Sequence, residues 1–389
     1  MILDSKEIYI EPDIPKGTEI LKDVRISAEG IERGERGLRI PEGFRKIDCG
    51  AFRQYNTGGI VSNIMNVLSR HNAEVREWTK KLRRKNLVKI TFPEEAGDSV
   101  SGRAEFLVKK EERVRLLKLD LPASLDEAEA EAFPVLLEQI DVSEQNPNFT
   151  SVDGVMFSKD RKSLLRYPGL RSQEYQIPEG TECIAKGAFS GAVLKRLELP
   201  STLRRIENQA FRGVYGLEDV VCKSQSVSMG TSIFRDSVLK STNWWVWEEI
   251  PRAAFLNCVL SEISIPEGVT EIRDYAFAGC RRVKRIIIPS SVEYIDRHSF
   301  EEGDGFSAEV RLPRNLFRYA YRFPPLTEIN GKPQREIWKS LSLEERREEP
   351  DVLSTHRESL KRQLGRLRFM NLTAKRKMKA ELEFLSEIG

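Results

Sequence analysis

The chain of 389 residues has three histidines, His71, His298 and His356, the residue type most suited to general acid–base chemistry and metal binding near neutral pH. They are far apart in the sequence, and none lies in an HExxH motif or at the spacing of zinc ligands. The phosphate-binding glycine loop, the dinucleotide fingerprint and the GxSxG serine motif do not occur either. We therefore predict no catalytic residue, no metal site, no cofactor and no enzymatic activity. An enzyme or its regulatory module would need an unrecognised site in the insertions.

The five cysteines carry no metal-binding signal, because no CxxC pair occurs. Cys258 and Cys280 each follow a phenylalanine by three residues, which favours reduced thiols packed in a core over a zinc site. An odd cysteine count and a start without the apolar run of a secretory leader favour the cytoplasm. A surface protein whose leader had been removed would start in the same way. No apolar stretch reaches the roughly 18 residues of a transmembrane helix.

The elements that position these residues follow from a regular spacing of apolar side chains. In the segments 260–280 and 283–300, apolar residues lie three and one before a proline and three, six and eleven after it. The residue eleven after the proline is a phenylalanine. A fixed period of this length predicts a repeat array, in which each unit buries its apolar face against its neighbours. The phenylalanines recur every 21 to 23 residues, at Phe189, Phe211, Phe234, Phe255, Phe277 and Phe300.

Each repeat contains the pattern of one short strand and one turn. The alternation before the proline predicts a parallel strand with one buried face, which ends at the proline. The Ala-Phe segment predicts a tight helical turn, because about five residues cannot form a stable helix alone. Eleven such anchors are predicted, at Pro41, Pro93, Pro122, Ser143, Pro178, Pro200, Lys223, Trp244, Pro266, Pro289 and Pro313.

This pattern resembles the BspA-type leucine-rich repeat family, whose units of roughly 23 residues read L-x-x-I-x-I-P-x-x-V-x-x-I-x-x-x-A-F-x-x-C. The resemblance extends from Leu38 to about Phe323, and the segment 146–168 looks like the hairpin found between repeats in that family. It implies an α/β repeat solenoid, a right-handed superhelix with a parallel concave β-sheet. Many members of the family are surface proteins.

The chain is predicted to have three parts: an N-terminal segment over 1–37, the solenoid over 38–330 and a basic helical domain over 331–389 that caps it. Helical periodicity predicts an amphipathic helix over 58–86, inserted into the solenoid together with the hairpin at 146–168. The segment 94–115 fits either a strand or a helix.

The C-terminal part contains helix signals. Capping boxes are predicted at Ser342 with Glu345 and at Thr355 with Glu358, and a further cap at Asn371 or Thr373. Leucines and a methionine recur on one face of the last two segments, which predicts that both helices dock on the solenoid. These residues are Leu360, Leu364, Leu367, Met378, Leu382 and Leu385.

The outward positions of the strands are the main candidates for binding. The net charge is only +3, from 63 basic and 60 acidic residues, so no field of one sign points to nucleic acid or a membrane. Signs alternate from one strand to the next, which favours a protein partner over a phosphate backbone. The outward residues are Lys118, Asp120, Arg196, Glu198, Asp219, Val221, Glu262, Ser264, Arg285, Ile287, Glu309 and Arg311.

A tryptophan cluster interrupts this face at NWWVW, residues 243–247. Trp247 falls at a buried position, which leaves Trp244 and Trp245 as candidates for an interface, where tryptophan often dominates the binding energy. In the alternative, all three fill the core of an irregular repeat.

Two basic stretches, 70–89 and 357–379, support a second function. Each is either a solvated helix face or a binding site for an acidic protein surface or a phosphate backbone. We therefore predict a non-catalytic protein–protein recognition scaffold; the alternative is a nucleic-acid-associated accessory subunit. The basic tail candidates are Arg362, Arg366, Lys375, Arg376 and Lys377.

Overall fold

The computed structural model describes most of the chain from residue 118 onward and isolated strands before it. The described residues are 9–10, 20–21, 37–39, 45–47, 87–90, 106–109, 118–134, 137–224, 226–239, 248–301, 308–324, 327–347, 352–366 and 372–388. They belong to two compact units, residues 1–156 and residues 157–389. The helix predicted over 58–86 lies outside the described residues.

The first unit is built from short strands. Two parallel sheets run through it, in the orders β1-β3-β7-β9 and β2-β4-β8, and a short 3-10 helix spans Ala130–Ala132. β10 and β11 are neighbours joined at Asp153 and Gly154, both with positive φ, the backbone that two-residue hairpin turns require. The strands are β1 (Tyr9–Ile10), β2 (Ile20–Leu21), β3 (Gly37–Arg39), β4 (Lys46–Ile47), β5 (Leu87–Ile90), β6 (Phe106–Lys109), β7 (Lys118–Leu121), β8 (Glu127–Ala128), β9 (Gln139–Val142), β10 (Phe149–Val152) and β11 (Val155–Ser158).

One predicted anchor, Pro93, is wrong. β3 pairs directly with β7 in parallel, with Gly37 opposite Lys118, so the strands of the Pro41 and Pro122 repeats are neighbours. The strand before Pro93, β5, pairs instead with β6 in an antiparallel ladder. This pairing also assigns a strand to the described part of 94–115. An apolar alternation followed by proline marks an edge strand equally well in a hairpin and in a solenoid, so the pattern could not separate the two.

The second unit stacks parallel coils. Its strands are β12 (Ser163–Arg166), β13 (Glu174–Gln176), β14 (Cys183–Ile184), β15 (Arg196–Leu199), β16 (Arg205–Ile206), β17 (Tyr215–Leu217), β18 (Asp219–Cys222), β19 (Ser228–Met229), β20 (Val238–Leu239), β21 (Glu249–Ile250), β22 (Glu262–Ser264), β23 (Glu271–Ile272), β24 (Arg285–Ile287), β25 (Tyr294–Ile295), β26 (Glu309–Arg311), β27 (Glu328–Ile329) and β28 (Lys332–Pro333).

The expectation of one strand per repeat is wrong, because the coils anchored at Pro178, Pro200, Lys223, Pro266 and Pro289 each contribute at least two. The strand before the anchor joins one ladder, β13-β15-β18 or β22-β24-β26-β27, and β28 closes the latter in antiparallel. A second, two-residue strand five residues after the anchor joins another ladder, β14-β16-β19 or β21-β23-β25. When coils stack in register, any extended segment can satisfy its backbone groups on its equivalent in the next coil. A two-residue strand is too short to show a periodicity in the sequence.

Stacked aromatic rings form the core of the second unit. The six phenylalanines lie in one column, which Tyr167 extends at one end and Phe323 at the other. Neighbouring ring centroids are 4.7 to 5.5 Å apart. The predicted ladder is confirmed, and it accounts for the regular spacing.

The turn that carries each ring is held by backbone geometry. The amide of Phe277 donates to the carbonyl of Ser299 in the next coil at 2.7 Å, and that of Phe255 to Ala276 at 2.7 Å. Around the rings from Phe189 to Phe277, the residues two before and two after the ring have positive φ, as at Ala253 (55°) and Asn257 (61°). Hydrogen bonds within the turn span three residues, so the predicted tight turn is confirmed in place of a helix.

Helices follow the last coil. A 3-10 helix over Arg314–Arg322 is followed by α1 (Gln334–Lys339), α2 (Leu343–Arg347), α3 (Val352–Arg366) and α4 (Leu372–Ile388). We call α3 and α4 the tail helices. Their apolar faces share one cluster with the 3-10 helix and α1; it contains Tyr321, Trp338, Leu341, Leu360, Met378 and Leu385, with Leu364 and Leu382 packed against it.

The capping predictions had mixed outcomes. At the start of α2, the amide of Ser342 donates to Glu345 Oε2 at 2.7 Å and the amide of Glu345 to Ser342 Oγ at 3.2 Å, which confirms the capping box. The box at Thr355 is wrong, since α3 begins at Val352 and Thr355 lies inside its first turns. Thr373 lies within α4. Asn371 and Leu367 are outside the described residues.

Candidate functional site

The outward side chains of the ladders before the anchors form what we call the strand face. On β15, Leu197 and Leu199 are buried, while Arg196 is exposed and Glu198 half-buried. β24 repeats this order, with Ile286 buried. Because successive strand residues point to opposite sides, the apolar positions form the core and the alternate positions lie on the surface.

Parallel register sets the outward residues in columns across the coils. In one sheet, Arg196 lies between Glu174 and Asp219, and Glu198 lies beside Val221. Neighbouring parallel strands are about 4.8 Å apart, so each column brings its side chains within reach of one another.

The second sheet repeats the arrangement with other residues. Arg285 lies between Glu262 and Glu309, and Ile287 lies beside Ser264 on one strand and Arg311 on the other. Each sheet therefore carries one column of alternating charge and one column that includes an aliphatic side chain, Val221 or Ile287.

The alternating charges of the strand face pair with each other. Arg196 lies 3.5 Å from Asp219 and 3.3 Å from Glu198, which also contacts Lys223 at 3.4 Å. Arg196 thus separates two acidic neighbours in its column and offsets part of their charge within the chain. The alternation read from the sequence has a structural cause, since like charges side by side on adjacent strands would repel.

The second sheet forms weaker pairs of the same kind. Arg285 and Glu262 are 3.6 Å apart, and Arg311 and Glu309 are 3.7 Å apart. All of these side chains are well exposed, and such pairs contribute about 0 to 1 kcal/mol. A partner's charged groups could therefore replace them at little cost.

The structure describes only part of the predicted site. Arg196, Glu198 and Asp219 lie together on one sheet, and Glu262, Arg285, Ile287 and Arg311 lie together on the other. Lys118 and Asp120 lie on β7, in the first unit. Trp244 and Trp245 are outside the described residues, as are the side chains of Arg362 and Arg366. In the tail, Lys375 is half-buried and Arg376 and Lys377 are exposed.

Sequence reasoning missed a second outward surface, formed by the two-residue strands. Arg273 contacts Glu249 at 2.8 Å and Glu271 at 2.8 Å, and these glutamates are neighbours on β21 and β23. On the next strand, Tyr294 keeps 38% of its surface exposed. The signal was the position five after the anchors Pro200, Trp244, Pro266 and Pro289, which is polar or aromatic next to a buried isoleucine.

His298 sits at the corner of a coil. Its Nδ1 lies 2.9 Å from Asp274 Oδ1 and its ring stacks on Tyr275, with the centroids 5.0 Å apart. Glu301 Oε2 lies 3.9 Å from Nε2. These contacts fix the imidazole between two carboxylates at a turn of the solenoid.

The core thiols are not suited to nucleophilic chemistry. Cys258 and Cys280 are buried and free, as predicted. Burial raises the pKa of Cys258 well above its ordinary value and that of Cys280 to about 12, so both stay protonated near neutral pH. Within the part of the chain that the structure describes, no cluster of three or more His, Cys, Asp or Glu could hold a metal ion. No helix among these residues is long and apolar enough to span a membrane.

Comparison with known families decides the identity of the coils. A family model described as a BspA type leucine rich repeat region matches residues 167–245 and 248–330, in six copies. Residues 167–330 are BspA-type leucine-rich repeats. The matched segments begin at Tyr167, the first ring of the aromatic column, and end with the strand β27. No match to the chain is found among curated proteins.

Several solved structures of bacterial proteins match part of the chain. A leucine-rich repeat protein from Eubacterium ventriosum is 20% identical over 49% of this chain and 54% of its own, with a TM-score of 0.42. The pneumococcal vaccine antigen PcpA is 25% identical, over 55% of each chain, with a TM-score of 0.38. A leucine rich cell surface protein from Faecalibacterium prausnitzii is 26% identical over 58% of this chain and 51% of its own, with a TM-score of 0.33. The chain thus spans about half the length of these proteins.

Proposed function

We propose that the chain is a non-catalytic scaffold that binds a protein partner through the strand face. The observation that carries this proposal is the register of β22, β24 and β26, which presents Glu262, Arg285 and Ile287 on a surface formed by backbone ladders. A surface built on ladders is ordered before a partner arrives, so binding costs little conformational entropy. The repeat family is consistent with a recognition role.

Charge pairing gives this face specificity. A partner that offers a carboxylate to Arg285 and a cation to Glu262 replaces the one exposed pair between them with two pairs across the interface, and leaves neither charge unpaired. A partner with the wrong pattern meets like charges on both. Ile287 and Val221 supply apolar contact between the charged positions, and Trp244 and Trp245 remain proposed anchors of the same interface.

The tail helices have a structural role in this proposal. Their apolar faces cover Tyr321 and Trp338 beyond the last strands, where an open solenoid end would expose its core. We propose that they cap the array and leave the strand face free. The cytoplasmic or surface location of the protein remains a prediction, which fractionation of the source cells would check.

Capture of a partner by the purified full chain tests the strand face. Arg285→Glu places three acidic groups in one column with Glu262 and Glu309, and should weaken capture at least tenfold while the fold persists. Lys284→Glu is the matched control, because it makes the same change of charge one residue away, at an exposed position before β24. Equal capture by both variants would contradict the proposal.

A nucleic-acid role predicts the opposite ranking. A tail variant in which the five basic candidates become glutamine should keep its protein partner if the strand face binds it. If the tail instead grips phosphates, the same variant should bind nucleic acid with a logarithmic salt slope smaller by about 3 to 5, and Arg285→Glu should bind it normally. The replaced residues are Arg362, Arg366, Lys375, Arg376 and Lys377.

A further inference from the structure

Ionisable side chains are buried where the tail helices meet the 3-10 helix. His356 of α3 and Glu381 of α4 are 3% and 8% exposed, and both lie against Tyr321, itself 3% exposed. The Tyr321 hydroxyl donates to Glu381 Oε1 at 3.1 Å, and its ring lies 4.7 Å from the imidazole of His356. Trp338 and Leu360 belong to the same cluster. The docked interface thus contains two buried titratable groups, an imidazole and a carboxyl group.

The surroundings of His356 suit only the neutral ring. The imidazole forms one hydrogen bond, to the backbone of Tyr321. Its Nε2 atom is buried and has no hydrogen-bond partner among the described residues. In a neutral ring this nitrogen can be an unused acceptor. Protonation would turn it into a second donor with a positive charge and no acceptor, which is much more costly in an apolar site.

We propose that the tail helices are an acid-released latch: they stay docked on the 3-10 helix Arg314–Arg322 while His356 is neutral, and they separate from it when His356 is protonated. Release uncovers Tyr321 and Trp338 at the end of the repeat array. Acidification would thereby expose apolar side chains that are buried at neutral pH.

Titratable or charged groups from each packed element act on this interface. Tyr321 comes from the 3-10 helix, exposed Arg335 from α1 and Glu381 from α4, while Arg357, next to His356 on α3, donates to the carbonyl of Leu385 and ties α3 to α4. Burial raises the pKa of Glu381, so its protonation favours the docked state on acidification. This effect opposes that of His356.

The lowered pKa of His356 determines how the stability of docking changes with pH. Burial lowers the pKa of His356 from 6.5 to about 4, so docking is fully stable above about pH 6.5 and weakens as pH falls towards 4. At pH 5 the undocked ring is mostly protonated and the docked ring is mostly neutral, which corresponds to a loss of about 30-fold in the docking equilibrium. Glu381 reduces this loss in the native chain, and Glu381→Gln removes the reduction.

Hydrogen exchange of the full chain at pH 7 and pH 5, expressed as protection factors, tests the latch. Helices α3 and α4 should lose protection at pH 5 in the native chain and lose more, about 20-fold, in Glu381→Gln, while the coils over 260–300 keep theirs. His356→Gln retains a donor for the Tyr321 carbonyl and cannot be protonated, so it should show no acid loss. His298→Gln, at the other described histidine, should behave as the native chain does.

Two results would overturn the latch. One is equal protection of the native tail at both pH values, with equal protection in Glu381→Gln. The other is an acid loss in His356→Gln as large as the native one. If the tail of His356→Gln is already unprotected at pH 7, the comparison of Glu381→Gln with the native chain decides: an acid loss no larger than native contradicts the proposal.

Discussion

The thiol of Cys258 donates a hydrogen bond to the backbone carbonyl of Phe234, one coil earlier in the array, at 2.8 Å. Cys280 makes the same contact with Phe255 at 3.2 Å, and the hydroxyl of Ser237 with the carbonyl of Phe211 at 2.9 Å. After Phe234, Phe255 and Phe277, the residue three further on therefore ties its coil to the preceding one. Ala192 and Val214 hold this position after Phe189 and Phe211, so the position requires a small buried side chain, and serine and cysteine add a hydrogen bond.

Serine should replace Cys258 better than alanine does. Cys258→Ser keeps a donor for the Phe234 carbonyl, as Ser237 does one coil earlier, whereas Cys258→Ala loses the donor and leaves a small void. We expect Cys258→Ala to be less stable than Cys258→Ser by about 1 kcal/mol in urea unfolding, the usual contribution of one buried hydrogen bond. If the alanine variant is the more stable of the two, the contact does not stabilise the array.

The buried thiols should make the protein sensitive to alkaline pH. Burial raises the pKa of Cys280 from 9.0 to about 12, so the thiol is neutral in the folded chain where the unfolded chain would ionise it. Its contribution to stability is complete below pH 9 and is lost as pH rises towards 12. Cys280→Ser should lessen this loss.

Neither Cys258 nor Cys280 should react with iodoacetamide at pH 8 before unfolding, and rapid labelling of the folded protein would refute their burial.

Phe277 should be among the most sensitive positions of the array. Its ring stacks between Phe255 and Phe300, with centroids 5.1 and 5.4 Å away. Phe277→Ala should cost about 3 to 5 kcal/mol, and Phe277→Leu less because it fills more of the space. Since coils contact only their neighbours, hydrogen exchange should rise first in the flanking coils. An unchanged urea midpoint for the alanine variant would mean that the column does not stabilise the fold.

Apolar spacing predicted the column of rings and the buried thiols, because every coil must place the same side chain in the same core position. Phe277, Phe300 and Cys280 were identified in this way. Spacing failed at Pro93, where a hairpin and a coil share one local pattern, and at the short strand Arg205–Ile206, whose backbone pairing depends on the next coil.

The candidate site was predictable at the level of which side chains point outward. Arg285 and Glu262 follow from strand alternation, but their mutual ion pair requires the lateral register of two coils, 23 residues apart. The burial of Arg166 could not be predicted from the sequence. This arginine is buried and donates to the carbonyls of Gly187 and Ser190, both at 3.2 Å, and nothing in its local sequence distinguishes it from an exposed strand residue.

Adjacent alanines offer a matched test of the turn geometry. Ala253 has a φ of 55°, a conformation that costs a residue with a Cβ roughly 1 to 2 kcal/mol, whereas its buried neighbour Ala254 has no positive φ. Ala253→Gly should leave stability unchanged or raise it, and Ala254→Gly should lower it by about 1 kcal/mol or more. Thermal unfolding of the two variants measures the difference. Equal losses in both would show that the left-handed backbone is not strained.

Arg273 should stabilise the second surface mainly by separating two glutamates. Glu249 and Glu271 are direct neighbours on parallel strands, and the guanidinium of Arg273 contacts both at 2.8 Å. Arg273→Gln removes two exposed pairs and leaves like charges side by side, so it should cost about 0.5 to 1 kcal/mol at low salt. Salt screens both the ion pairs and the repulsion between the glutamates, so the loss of stability should be smaller in 1 M NaCl. Adding Glu271→Gln should recover most of the loss, because the repulsion disappears with its carboxylate. If the double variant is no more stable than Arg273→Gln at any salt concentration, repulsion between the two glutamates does not explain the loss of stability.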